Sequence, residues 1–428
     1  MLKRFKLSKN NLKHHKKRNN EQLVVGLDIG TENIKALVTK IDSEGLLEVV
    51  GVGREHQSLT DMQAGAIADI AAVVANCDRA LNQAEQQSGL SGRSAVVGIA
   101  GELVKGNTTT VRFKRKDPDR RIDIAEIDKI FTLVQDKAMD SAKNQLASET
   151  GGKQIGLKLI NSALISIEID GYGVTNPIGF QGQDVQVQLY TAFAPLIHIG
   201  AIERVADQLD LELITVAAEP FAVARSVIGD DPNANLSAIL LDVGGGTTDI
   251  AVVNEGGVEG TKMFGIGGRS FTKSIQRDLN IDFERAEALK LGLSDGRAPL
   301  SYRHEVESAL RKTLAVWLSG VQLALEEFKR LDHLPHRILL CGGGASLEML
   351  TEELNQSDWY KNLAFTKKPQ VQLVKPQQVI GIKDKTGIID DHTYITAMGL
   401  LRVGMDTLLQ YESSGDSVKD RINQILKI

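Results

Sequence analysis

One local pattern occurs twice in this chain, half its length apart, and it restricts the folds open to the sequence. In the first copy, Leu23-Val24-Val25-Gly26-Leu27-Asp28-Ile29 reads as a buried strand. Gly30-Thr31-Glu32-Asn33 turns, and Ile34–Val38 returns as a strand. In the second, Ser237-Ala238-Ile239-Leu240-Leu241-Asp242-Val243 is followed by Gly244-Gly245-Gly246-Thr247-Thr248 and then by Asp249–Val253. Each copy is an apolar strand ending in aspartate, a glycine turn carrying threonine, and an antiparallel return. A repeat of this size implies a duplicated α/β fold, with two related halves facing one another.

The residue types in the two turns suit polyphosphate. Glycine lets backbone N–H groups point at an anion, and threonine adds a hydroxyl donor. A carboxylate at the strand end can hold a hydrated Mg²⁺ that neutralises the phosphates. Asp28 and Asp242 are the metal candidates. Gly30, Thr31, Gly244, Gly245, Gly246, Thr247 and Thr248 are the phosphate candidates, and Lys35 is within reach as a point charge. Alone, either turn is equally a plain hairpin; two turns with aspartate at one offset predict a nucleotide clamped from both sides. A third turn, Gly342-Gly343-Gly344, follows the apolar Ile338–Cys341 and permits close approach of a base or ribose. Glu287 and Lys290 share one face of a predicted helix and can grip adenosine hydroxyls, or be a surface ion pair. Glu219-Pro220 opens a predicted helix, where the carboxylate can orient water or Mg²⁺; proline there is also common for structural reasons alone.

The rest of the chain is consistent with a large globular protein. Of 428 residues, 42% are hydrophobic and 25% charged, which excludes wholesale disorder. Cys77 and Cys341 lack metal-ligand spacing, so neither a zinc site nor a disulfide scaffold is expected. No apolar run reaches the ~18 residues of a spanning helix. Helices are predicted near 67–85, 125–147, 196–209, 219–228 and 394–403, with 265–334 mostly helical. Strands are predicted at 47–52, 94–99, 163–169, 185–192 and 212–217. Residues 101–192 have their own character, with a basic patch of Arg112, Lys114, Arg115, Lys116, Arg120 and Arg121.

Taken together, these pieces resemble the actin and heat-shock-chaperone ATPase superfamily, and within it the FtsA family of bacterial division proteins. The segments that carry the resemblance are VVGLDIGTENIKALV at 24–38, AVVGIAGELVKG at 95–106, NPIGFQGQDVQVQLYTAF at 176–193, LDVGGGTTDIAVV at 241–253 and AEALK at 286–290, with the Gly267-Gly268 turn and Thr396-Ala397-Met398-Gly399. The resemblance spans about residues 23–405. It implies an actin-like (ribonuclease-H-like) fold with two lobes around a nucleotide cleft and an inserted α+β subdomain of the SHS2 type. The expected organisation is a basic tail (1–22), a first lobe (23–100, 193–228 and 376–405), the insert (101–192), a second lobe (229–375, with a reduced helical part at 265–334), and a linker with a short amphipathic helix (406–428). It further implies ATP and Mg²⁺ as ligands, with at most slow hydrolysis. Asp28 and Asp242 would serve the metal. Gly30, Thr31, Lys35, residues 244–248 and the Gly267-Gly268 turn would hold phosphates. Glu219 would act with Asp242 in catalysis, and Gly342, Gly343, Gly344, Glu287 and Lys290 would frame the adenosine.

The implied role is a cytoskeletal adaptor of the division septum. It would form filaments and link an FtsZ-like tubulin homologue to the cytoplasmic face of the cell membrane. The termini are the expected membrane contacts. Residues 1–20 hold Lys3, Arg4, Lys6, Lys9, Lys13, Lys16, Lys17 and Arg18 and no acid, whereas the whole chain is at −5. Such an arm either seeks an anionic surface, lipid or nucleic acid, or is a disordered solubilising tail; with aromatics at 4%, nucleic acid is not the expected main partner. At the other end, Val418, Ile422, Ile425 and Leu426 make one stripe of a short helix that needs a surface to be stable. Two other readings remain open. The short 291–310 region matches PilM-type pilus platforms, which capture a peptide from an inner-membrane partner. A small-molecule kinase of the sugar-kinase branch shares the two phosphate turns.

Overall fold

The computed structural model of the protein describes residues 23–42, 45–229, 236–294 and 302–413. The basic tail and the terminal stripe at 416–428 lie outside them.

Chain order alternates strands and helices. Strands β1 (Leu23–Ile29), β2 (Asn33–Ile41) and β3 (Leu47–His56) form an antiparallel meander. A small hairpin of β4 (Met62–Gln63) and β5 (Ala66–Ile67) leads to the helix Ile70–Ser88. Asp69 caps that helix by accepting from the Ala72 N–H, and Gly89 ends it in the left-handed region at φ 67°. Its apolar stripe (Val73, Cys77, Ala80, Leu81, Ala84) is buried on the sheet. A Cβ on Gly53 would sit 1.8 Å from the Ala80 carbonyl oxygen, so glycine in β3 is what lets the helix lie this close. Strand β6 (Ser94–Ile99) then pairs parallel to β1.

The intervening segment holds β7 (Lys105–Lys114), the helix Ile124–Glu149, β8 (Leu157–Ile169), β9 (Tyr172–Gly173) and β10 (Asp184–Pro195). Strand β7 is absent from the sequence reading: its Thr-rich, basic stretch has little apolar alternation. The expected basic patch is partly internal. The Arg115 guanidinium is buried, pairs with Glu126 at 2.9 Å, and donates to the carbonyls of Gly182 and Arg120. Strand β10 runs directly into the helix Leu196–Gln208. Strand β11 (Glu212–Ala218) and the helix Glu219–Val227 follow.

The second copy comprises β12 (Ala238–Val243), β13 (Thr248–Asn254) and β14 (Gly257–Phe264). The helices Gly268–Leu279, Phe283–Ser294 and Arg303–Glu326 come next. After them come β15 (Arg337–Cys341), the helix Glu348–Gln356, β16 (Gln370–Leu373), β17 (Ile382–Asp384) and the long helix Ile395–Ser413. That helix covers residues 406–413, where the sequence suggested a linker.

Two large sheets result. One runs β11-β6-β1-β2-β3-β17; the other runs β16-β15-β12-β13-β14-β7-β10-β8-β9. The core of each sheet repeats the same plan, with a meander flanked by a parallel strand: β6 beside β1, and β15 beside β12. The strands of the 101–192 segment extend the second sheet, joined to it where β7 meets β14 at Asn107–Gly260 and Gly106–Thr261. The long final helix packs back on the first sheet: Ile395, Ala397, Met398, Leu400 and Leu401 are all buried in the cluster that holds Val24, Val25 and Leu27. Burying such side chains contributes roughly 1.5–3 kcal/mol each before chain entropy is counted.

Candidate nucleotide site

Both glycine turns emerge from the ends of the central strands, β1 and β12, and they touch. A Cβ on Gly245 would lie 2.6 Å from the Glu32 Cβ, and one on Gly246 would lie 2.7 Å from the Thr31 hydroxyl. The turns face each other across a single seam between the two sheets. The helix Gly268–Leu279 starts against the second turn, with the Gly268 N–H donating to the Gly244 carbonyl at 2.9 Å and the Arg269 N–H to Gly245 at 2.8 Å. The third turn closes over the same strand end. Gly342 is held at φ +82°, where a Cβ would meet an Asp242 carboxylate oxygen at 2.0 Å. The Gly344 Cβ position is 2.5 Å from Val243 Cγ1, while Gly343 faces open space. Gly30, Thr31, Gly244, Gly245, Gly246, Thr247, Gly267, Gly268, Gly342, Gly343 and Gly344 therefore surround one place.

Register places the charges. Asp28 lies opposite Lys35 across β1 and β2, and the Lys35 Nζ donates to Asp28 Oδ2 at 2.9 Å. At the matching place in the second copy, Asp242 lies opposite Asp249 across β12 and β13. Asp242 accepts a hydrogen bond from Thr396 on the final helix. Glu219 opens its helix with its side chain buried, beside Gly98, where a Cβ would be 2.8 Å from Glu219 Oε1. Glu219 also lines a cavity of about 20 Å³ reachable by the centre of a water molecule, together with Gly98, His198 and Ile202. That is room for one ordered water.

These carboxylates are crowded and dry. Burial raises the Glu219 pKa well above the ordinary carboxylate value, reinforced by the charges of Asp28, Asp249 and Asp242. Asp249 is likewise pushed well up, by burial and then by Asp242. Asp242 is raised by burial, with the Thr396 hydrogen bond opposing. For Lys35, burial pulls the pKa down, but the attraction and hydrogen bond of Asp28 outweigh it and leave the ammonium favoured. One buried oxygen, Asp249 Oδ1, has no hydrogen-bond partner among the described residues. A cation would relieve this excess of negative charge. No three of these groups converge closely enough, among the described residues, to ligate an ion directly. The set therefore fits an ion held through its own waters, as Mg²⁺ prefers.

Three expected residues, Thr248, Glu287 and Lys290, make structural contacts of their own. The Thr248 hydroxyl donates to the Ile266 carbonyl at 2.7 Å and accepts from the Trp317 indole at 2.9 Å, on the core side of β13. Lys290 and Glu287 do not form a surface pair. Lys290 is buried, bonds Glu287 at 2.7 Å, and donates to the Gly268 carbonyl and the Thr272 hydroxyl. The pair thus braces the helix that supports the second turn. Sequence reasoning missed Asp249 and Arg269. For Asp249 a signal existed: it follows Asp242 by the same interval that separates Lys35 from Asp28.

Comparison with known proteins adds what the chain is similar to. The family model for cell division protein FtsA matches residues 239–399. The FtsA of Pseudomonas aeruginosa is 28% identical over 421 residues, covering 93% of this chain and 92% of that protein. The FtsA of Escherichia coli K12 is 24% identical, covering 93% and 94%. The chain is thus similar to FtsA division proteins over most of its length. Among solved structures, the PilM–PilN type IV pilus biogenesis complex matches with a TM-score of 0.62 at 17% identity, covering 89% of this chain and 98% of that one. At that identity the likeness concerns the fold, which is actin-like. The segment between β6 and the helix Leu196–Gln208 is consistent with the likeness to FtsA.

Proposed function

We propose that this FtsA-like chain is an ATP-binding division adaptor that takes Mg²⁺-ATP between its two glycine turns. The observation that carries the reading is the contact of those turns over a buried cluster of Asp28, Asp242, Asp249 and Glu219, with Lys35 paired to Asp28. The turn amides and the Thr31 and Thr247 hydroxyls would hold phosphate oxygens. Asp28 and Asp242 would hold waters of the metal, which supplies charge neutralisation to the phosphates. Glu219 would orient a hydrolytic water, and a carboxyl kept from full ionisation suits slow turnover. Gly343 and the neighbouring third turn would admit the adenosine.

In this reading the nucleotide acts as a latch between the lobes, and the chain polymerises and recruits partners at the division site. Its FtsA relatives favour an FtsZ-like tail as partner over an inner-membrane pilus peptide. Placement on the inner face of the cell membrane rests on residues 1–20 and 416–428. Among the described residues no helix is long and apolar enough to cross a membrane. The experiment is a pull-down of the full chain with immobilised FtsZ C-terminal peptides and with pilus inner-membrane peptides. Retention on the FtsZ peptides alone is expected. Retention on the pilus peptides alone would replace the division role with a pilus one.

A further inference from the structure

We infer that Arg269 is a positioning residue that fastens the two glycine turns to one another, one through its backbone and the other through its side chain. This inference deepens the nucleotide reading of the cleft and rests on it for its consequence, though not for its geometry.

Arg269 sits in the first turn of the helix Gly268–Leu279. Its N–H donates to the Gly245 carbonyl of the second turn at 2.8 Å. Its side chain, 9% exposed, crosses to the other lobe. There Nε donates to Glu32 Oε2 at 2.6 Å, and Nη2 donates to the Gln57 carbonyl at 3.0 Å. Glu32 belongs to the first turn itself. Gln57 completes the connection: its N–H donates to the Glu32 carbonyl at 2.9 Å and its Nε2 to the Gly30 carbonyl at 2.7 Å. The Gln57 amide is fixed in turn by Asn76, whose Nδ2 donates to Gln57 Oε1 at 3.2 Å and to Asp61 at 2.9 Å. An unbroken run of hydrogen bonds therefore leads from the Gly245 carbonyl to the Gly30 carbonyl through one guanidinium.

Arginine is suited to this task. A rigid fork serves a carboxylate and a carbonyl at once, which a lysine point charge cannot do in one geometry. A charge-assisted bond shielded from water is also stronger than an exposed pair. Removing Arg269 leaves the half-buried Glu32 carboxylate with His56 and no link to the second turn, and removing Glu32 leaves the buried guanidinium without a counter-charge on the first turn. The consequence is mechanical: the separation of the turns is set by protein groups before any phosphate arrives, so a ligand meets a preorganised clamp.

Two measurements on the full chain test this. The first needs no nucleotide. A Cβ at Gly246 would lie 3.1 Å from the Thr31 Cβ, so the turns need to part by only about half an ångström to reach disulfide spacing. Thr31→Cys/Gly246→Cys should therefore oxidise readily, and Cys77 and Cys341 are both buried. Adding Arg269→Ala or Glu32→Ala should slow cross-linking roughly tenfold, the factor that loss of a single charge-assisted bond represents. Arg269→Lys, which is the safer variant for folding, should fall between. Equal rates in all backgrounds would overturn the inference. The second measurement follows release of a fluorescent ATP analogue, with Mg²⁺, from chains carrying the native turns. Arg269→Ala and Glu32→Ala should each speed release roughly tenfold, and the double variant should be no faster than the faster single one. Additive effects would contradict a shared staple. Failure of the unaltered chain to bind nucleotide would sink the cleft reading, while the cross-linking result would still decide the role of Arg269.

Discussion

The two copies of the strand–turn–strand unit share register and differ in charge. In the first, Asp28 faces a lysine across the hairpin; in the second, Asp242 faces an aspartate at the matching place. The first unit is self-neutralised. The second carries two carboxylates whose pKa values burial raises, Asp249 further by the charge of Asp242, and Asp242 against the opposing Thr396 hydrogen bond. Duplicated backbone thus supports divided labour. In the proposed reading, the first unit supplies a cation for a ligand's phosphates, and the second keeps an excess of negative charge that a metal ion would offset.

Variants that break this asymmetry should have effects of opposite sign. The largest is expected from Lys35→Met, which strands Asp28 in a buried site; thermal or urea unfolding should show a loss of about 3–5 kcal/mol. Next is Asp242→Asn, which should weaken Mg²⁺-ATP binding roughly 100-fold, about 2.7 kcal/mol, with the fold retained. Unchanged affinity would remove Asp242 from the metal's surroundings. Asp249→Asn sharpens the comparison in the other direction. It should stabilise the metal-free chain by about 1 kcal/mol, because a repelling buried charge is lost. Stability should also depend on pH. Glu219 and Asp249 titrate above their unfolded values, so the folded chain binds more protons than the unfolded one. Their contribution is fully present below the ordinary carboxylate range and is lost as pH rises through the elevated native values. Metal-free protein should therefore lose melting temperature as pH climbs above about 4.5, and Mg²⁺ should restore part of it. The smallest effect on nucleotide binding is predicted for Thr248→Val. It breaks the Trp317 bond at a cost of about 1–2 kcal/mol in stability and leaves nucleotide affinity within twofold, since that hydroxyl faces the core.

Much of this was visible in the sequence. An apolar strand ending in aspartate and glycine is a strong local signal, and the duplication tied the two turns together before any coordinates. What escaped has identifiable reasons. Asp249 in isolation reads as an ordinary polar strand residue; its meaning comes from register, which only strand pairing reveals. Strand β7 was hidden because threonines and basic residues replace apolar alternation along an extension of the second sheet. For Glu287 and Lys290, helical spacing left a ligand contact and a surface ion pair equally open, because it shows which residues share a face, not what that face meets; Lys290 is buried. Arg269 had no local signal at all. Its partners Glu32 and Gln57 lie in the other lobe, more than two hundred positions away in the chain.

The central claim is that paired turns and their acidic floor bind a magnesium nucleotide jointly. Calorimetric titration of ATP into the full chain, with Mg²⁺ and with chelator, tests it most directly. The account predicts saturable one-to-one binding that depends on Mg²⁺ and is abolished alike by Asp28→Ala and Asp242→Ala. Binding that ignores the metal, or that survives loss of either aspartate, would contradict it.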